Sequence, residues 1–170
     1  GQLLGIMNSA LPRTVAKESS QTATTFNAAN AVKMLARFKG NMANAAWFMN
    51  QDVLPQLPMM TVGNQPVFIP GGSFANAPFG TLFGRPIVPL EFCETLGSKG
   101  DVILADFSEY MLVSKGGMEV AESMHVKFLT DEMAYRFITR VDGQPIYDEP
   151  FTPLKGSNTL SPFVMLAARS

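Results

Sequence analysis

The sequence holds one cysteine and one histidine, and each scarcity removes a class of function. Cys93 alone cannot form an internal disulfide, which suits assembly in a reducing compartment. His125 alone would have to support any metal centre or serine triad, because such sites converge several imidazole, thiolate or carboxylate groups. Charge is scarce too, at 16% of residues against about 25% in average soluble domains. A surface poor in charge is covered by neutral and apolar atoms, either because neighbours bury it or because the core is large. No basic surplus exists, since 13 Lys+Arg face 14 Asp+Glu for a net charge of −1. That removes the strong phosphate-neutralising excess of a dedicated nucleic-acid binder, and no run of like charge forms a tail. No apolar run nears the ~20 residues that cross a bilayer, so no membrane partner is expected.

What the chain does have is 11 Met and 13 Phe in 170 residues, the length of one ordinary domain with room for a small second lobe. Methionine fills irregular gaps and suits surfaces that must repack. The chain opens on Gly1 without an initiator Met or a signal-peptide pattern. Leu3, Leu4, Ile6 and Met7 read as a strand or turn from the middle of a fold, so an upstream segment is expected.

Residues 8–25 are rich in Ser, Thr, Ala and Asn, with Pro12 as a breaker, and read as a loop or edge strand. Ala28, Ala31, Val32, Leu35 and Phe38 then recur at helical spacing. Thr24 or Thr25 can cap this helix, with Arg37 and Lys39 in its last turn and Gly40 as a left-handed stop. Ala45 to Met49 reads as a buried strand, and Asn50 caps a short second helix that Pro55 delays or kinks. Thr61 to Pro78 reads as a long loop or open hairpin around Val67-Phe68-Ile69.

From Phe79 the texture turns to β. Gly80 to Leu90 reads as a turn and an apolar strand that Pro86 and Pro89 confine to an edge or bulge. Short strands follow at Val102 to Leu104 and Tyr110 to Val113, then a turn at Lys115-Gly116-Gly117. Met118, Val120, Met124, Val126 and Phe128, then Met133, Tyr135, Phe137 and Val141, make a long alternating pattern, with Lys127, Arg136 and Arg140 on the opposite face. Asp142-Gly143 is a sharp turn signal, and Phe163 to Ala168 is a last apolar strand. Helices early and strands late, without βαβ alternation, give an α+β fold.

A search for chemistry finds none that converges. Gly71-Gly72-Ser73 lacks the lysine of a phosphate cradle and reads as a turn tip. His125 reads as a sheet-face residue, Cys93 as a partly buried structural thiol, and Trp47 as a core anchor. The pairs Asp131-Glu132 and Asp148-Glu149 are neighbours in sequence, so each points its carboxylates to opposite faces and forms no acid/base dyad. Arg136 and Arg140 would share a strand face about 13 Å apart, too far for one carboxylate. Ion pairs between subunits and contact with DNA are their functional readings, with an ordinary polar face preferred. No catalytic residue, cofactor or metal ligand is assigned.

The order of the later motifs resembles one family. Gly80-Thr81-Leu82-Phe83-Gly84-Arg85-Pro86-Ile87-Val88-Pro89 looks like the "G-x-L-x-G-x-P-V" strand of tailed-phage major capsid proteins. Gly100-Asp101-Val102-Ile103-Leu104-Ala105-Asp106-Phe107 resembles that family's "G-x-I-x-x-G-D-F", with Ala105 where the family usually has glycine. Tyr110 to Gly117 and Arg136 to Pro145 resemble its long strands and their return, Leu4 to Asn8 its "G-L-L-N" element, and Ala46 to Leu57 its strand, Asn and short helix.

The resemblance implies the Hong Kong ninety-seven type capsid fold, shared with encapsulin shells. It places residues 1–109 and 140–170 in an axial domain and residues 110–139 in the long-strand part of a peripheral domain. The family's N-terminal arm, extended loop and spine helix would all precede Gly1. It implies a structural subunit, not an enzyme, forming hexamers and pentamers of an icosahedral phage or prophage head around DNA. Assembly would occur in the host bacterial cytoplasm, with portal, scaffold or maturation protease as partners and weak non-specific contact with packaged DNA. The alternatives are an encapsulin-like compartment subunit and, from another class, a small α+β hydrolase using Cys93 or His125. The candidate subunit-contact loop is the segment Thr61 to Pro78, which carries no charged residue. Its contact residues would be Pro66, Phe68, Pro70, Gly71, Gly72, Ser73, Phe74 and Asn76. An uncharged tip can meet its own copies around a symmetry axis without like-charge repulsion.

Overall fold

A computed structural model of the chain describes residues 3–71 and 78–169. Seven of the thirteen strands in the described residues belong to one sheet. Its strands are β1 (Arg13–Val15), β2 (Ala46–Met49), β5 (Phe68–Ile69), β6 (Thr81–Leu82), β7 (Arg85–Pro89), β8 (Val102–Ala105) and β13 (Phe163–Leu166). They lie in the order β1-β13-β8-β2-β7-β6-β5, with β2 antiparallel to β8 and parallel to β7. A small hairpin of β3 (Thr61–Val62) and β4 (Gln65–Pro66) turns on Gly63, whose φ of 62° suits a residue without Cβ.

Alternation along the central strands builds two cores. Trp47, Met49, Val102, Leu104, Val164 and Leu166 face one side, beneath the α-helix α1 (Ala28–Arg37) and the 3₁₀ helix Gln51–Met59. The next residues along, Phe48, Ile103, Ala105 and Phe163, face the other side and meet Leu11, Ile6 and Tyr110. A strand with apolar residues at every position is what burial on both faces demands.

The cap of α1 is Asn27, not Thr24 or Thr25. Its side chain accepts from Asn30 N, and Asn30 Oδ1 accepts from Asn27 N, so one reciprocal box satisfies two orphan donors. Asn30 is itself buried and bonded to Gln21, which a purely apolar periodicity could not show. The inward face is therefore Asn30, Ala31 and Met34 with Leu35 and Phe38, while Val32 is exposed. The helix stops at Phe38 in extended geometry, and Gly40 is not a left-handed cap. Asn50 does cap the second helix, accepting from Asp52 N at 3.0 Å. Pro55 and Pro58 inside it explain its 3₁₀ form, since proline obstructs the bond to residue i−4.

β7 is an interior strand despite its prolines. Leu90 N donates to Met49 O, so alternation turns Pro86 and Leu90 toward β2 and Pro89 toward β6. Pro86 then lies one residue before the ladder with β2 begins at Ile87, and Pro89 lies where β6 has ended. Each missing N–H falls on an empty register position, so an edge location was not required.

The remaining strands form a two-stranded ribbon leaving the sheet. β9 (Tyr110–Ser114) pairs with β12 (Val141–Pro145), and farther out β10 (Glu119–Ser123) pairs with β11 (Ala134–Ile138). Between the two sections, residues 115–118 stand opposite residues 139 and 140, so Gly116 at φ 69° sits in a bulge through which the strand continues, not in a turn. The outgoing strand ends at Ser123. Residues 124–133 form the tip, with a 3₁₀ turn at Phe128–Thr130, and do not continue the alternation. Asp142-Gly143 is not a turn but lies inside β12. The glycine there serves close approach, because a Cβ would stand 2.9 Å from Tyr110 Cε1.

Candidate assembly interface

The outer ribbon has two unlike faces. Directly opposed residues of an antiparallel pair share a face, so Val120 with Phe137 and Glu122 with Tyr135 lie on one side. Val120, Tyr135 and Phe137 are 57%, 59% and 62% exposed, and Met118 and Met133 at the ends are exposed as well. The other side carries Glu119 with Ile138, Ala121 with Arg136, and Ser123 with Ala134. A contiguous exposed apolar face of this kind marks an interaction surface. Arg140 lies beyond the end of β11, in the break between ribbon sections, and pairs at 3.2 Å with Glu119, which is on the side that carries Arg136; both side chains of the pair are exposed.

The ribbon base is tied to the body. Tyr110 Oη donates to Leu4 O at 3.0 Å, and Leu4 N donates to Gly143 O at 2.9 Å. Asp106, buried at the end of β8, accepts from Asn41 N and from the Ser108 N–H and hydroxyl, which fixes where the chain turns into the ribbon.

The uncharged segment from Thr61 is better ordered at its base than a plain loop. Pro66 ends β4, and Phe68 lies in β5 opposite Leu82, packed against the main core. Phe68 therefore serves this chain's own packing first. Pro70 and Gly71 are exposed beyond it, while Gly72, Ser73, Phe74 and Asn76 lie outside the described residues. Gly80 closes the segment at φ 84°, where a Cβ would meet the Phe68 ring.

The residues a hydrolase would need are held apart. Cys93 is buried, and desolvation, then the Asp101 carboxylate, pushes its thiol up to about 11. Thiolate is scarce there at neutral pH. His125 is not on a sheet face; it stands exposed at the ribbon tip beyond Ser123. Asp131 and Glu132 sit at the same tip, Glu132 pairing with Lys127 at 2.5 Å, and Asp148 and Glu149 are exposed. Among the described residues no cluster of three or more His, Cys, Asp or Glu could hold a metal. No helix of the described residues is long and apolar enough to cross a membrane.

One pair escaped the sequence reading. Asp101 and Arg169 are both fully buried and 68 positions apart, too distant for any spacing rule to join.

A body built on this sheet and a protruding ribbon can be compared with known proteins. The model of the phage capsid family matches residues 1–156. The chain belongs to that family. No curated protein matches. Two solved structures have the same fold, the capsid of an empty GTA particle and that of a native GTA particle, both computed with C5 symmetry. Their TM-scores are 0.60 and 0.61, each at 17% identity and 92% coverage of this chain. The chain spans about half the length of these structures, 50% and 49% respectively. The α+β capsid fold implied by the motif order is the fold observed.

Proposed function

We infer that this chain is part of a structural shell subunit of a phage or prophage head, assembling into hexamers and pentamers around DNA. The observation that carries the reading is the family match over nearly the whole chain, joined to an exposed apolar ribbon suited to burial by neighbours. The sheet body is the part that meets symmetry axes, covering residues 1–109 and 140–170, and residues 110–139 are the long-strand extension. Shell cohesion then comes from modest contacts multiplied by symmetry. The subunit is not an enzyme, and portal, scaffold or maturation protease is its partner during assembly in the host cytoplasm.

Electron microscopy of the full-length protein should show closed shells, and Cys93→Ala and His125→Ala should form them equally well. Soluble full-length protein that never assembles, or a hydrolytic activity lost in either variant, would remove this reading.

The segment Thr61 to Pro78 is the symmetry-axis contact in this account. Pro66, Pro70 and Pro78 lower the ordering cost of docking, and the absence of charge allows copies to converge. Ser73→Asp with Asn76→Asp should gather like charges around the axis. Native mass spectrometry of the full-length protein should then count fewer hexamers and pentamers at low salt, with monomer melting unchanged. Undiminished rings would place the loop elsewhere.

A further inference from the structure

The basic residues are not spread evenly. Arg13 in β1 and Lys17 just beyond it face Lys33 and Arg37, one turn apart on α1, across an open cleft of about 300 Å³. The rest of the lining comes from residues 14–16, none of them charged. β1 is the edge strand of the large sheet, and α1 packs against β1 and β13, so two packed elements hold the cations in place. Glu18 is the acid beside them, and it pairs with Lys33 at 2.7 Å. No partner holds the guanidinium of Arg13 or of Arg37 among the described residues. Four of the 13 basic residues of a chain with net charge −1 thus line one cleft. Arg13 and Arg37, the two guanidinium groups without a counter-ion, repel each other across the cleft until an anion enters.

The geometry points to the phosphate backbone of double-stranded DNA as that anion. An acidic peptide added to a sheet edge would need a row of outward N–H and C=O groups. β1 has three residues and follows Pro12, and Val15 O already accepts from Ala167 N, so alternation leaves only Thr14 facing out. The cleft offers ions without a backbone ladder, which matches sequence-independent contact with repeated phosphates. Binding by one copy is weak. Copies repeated around an enclosed polymer hold it through effective concentration, and each contact stays reversible. The choice of DNA rests on the shell reading, and it moves the contact from Arg136 and Arg140 to the body.

The test uses full-length protein and a short labelled duplex of random sequence, with anisotropy followed as salt is raised. Arg13→Gln with Arg37→Gln should weaken binding at low salt at least about tenfold and flatten the log–log salt slope by about 1.8. Lys99→Gln with Lys155→Gln changes net charge equally and should alter neither quantity; both lysines are exposed elsewhere. Thermal melts of both variants should match the parent. An equal loss in the two variants, or no loss in the first, overturns the assignment. So does displacement by polyglutamate at equal charge concentration, which would give the cleft to an acidic polypeptide. Absence of any duplex binding overturns it as well, while shells seen by microscopy would leave the subunit reading intact.

Discussion

Asp101→Ala is expected to destabilise the protein by about 3–5 kcal/mol, the largest effect of any single charge removal. Arg169 is fully buried, and its guanidinium meets both carboxylate oxygens of Asp101, one of them at 3.1 Å. Its Nε also donates to Thr25 O at 2.6 Å, and Gly97 N donates to Asp101 Oδ2 at 3.0 Å. Removing the carboxylate strands a cation with no water to solvate it, and that desolvation dominates the cost. The backbone around the pair would loosen with it, since Arg169 N bonds Gly97 O and Thr24 N bonds Arg169 O. For a domain of this size the loss corresponds to a fall of roughly 6–20 °C in Tm. The double variant Asp101→Leu with Arg169→Met leaves no orphan charge and should recover most of the loss. A single variant that melts within about 2 °C of the parent would show the site to be wet.

This pair also marks a limit of sequence reading. Several signals with a local cause were legible, although the equally local Asn27–Asn30 cap was not. Asn50 capped its helix, Pro55 disfavoured an α-helix, and Ala46–Met49 formed the expected buried strand. Asp101 and Arg169 meet only because β13 lies beside β8, a fact of topology that no window contains. The prolines of β7 misled for the same reason. Whether a missing N–H matters depends on what stands opposite, and neighbouring ladders end just where Pro86 and Pro89 need them to.

The ribbon shows the converse error. Its alternating pattern runs on to Phe128 and starts again at Met133, yet pairing ends at Ser123 and resumes at Ala134. Alternation says which face a residue takes if the strand continues, not where it turns back. Asp142-Gly143 carries a turn composition, but its glycine answers the Tyr110 ring across the ladder. Of the contact loop, Phe68 is claimed by the core, and the exposed remainder described is Pro66, Pro70 and Gly71. The family was legible because motif order survives where single motifs are weak, and that order mirrors the strand sequence of the body.

Trp47→Ala should cost about 3–5 kcal/mol, by a route unlike that of the ion pair. Trp47 sits at the middle of the sheet in β2, fully buried, with the Phe26 ring tilted 56° to it at 6.5 Å. Its indole N–H donates to Leu82 O at 3.0 Å, which ties β2 to β6 across the intervening β7. Alanine leaves a cavity under α1 and a buried carbonyl without its donor, so packing and hydrogen-bond losses add. Trp47→Phe separates them. It keeps most of the buried area and loses the donor, so it should cost only about 1–3 kcal/mol. Because Trp47 is the sole tryptophan, denaturation should be followed by circular dichroism in all three proteins. Equal losses for the two variants would mean that the bond to Leu82, not the packing, holds the centre of the sheet.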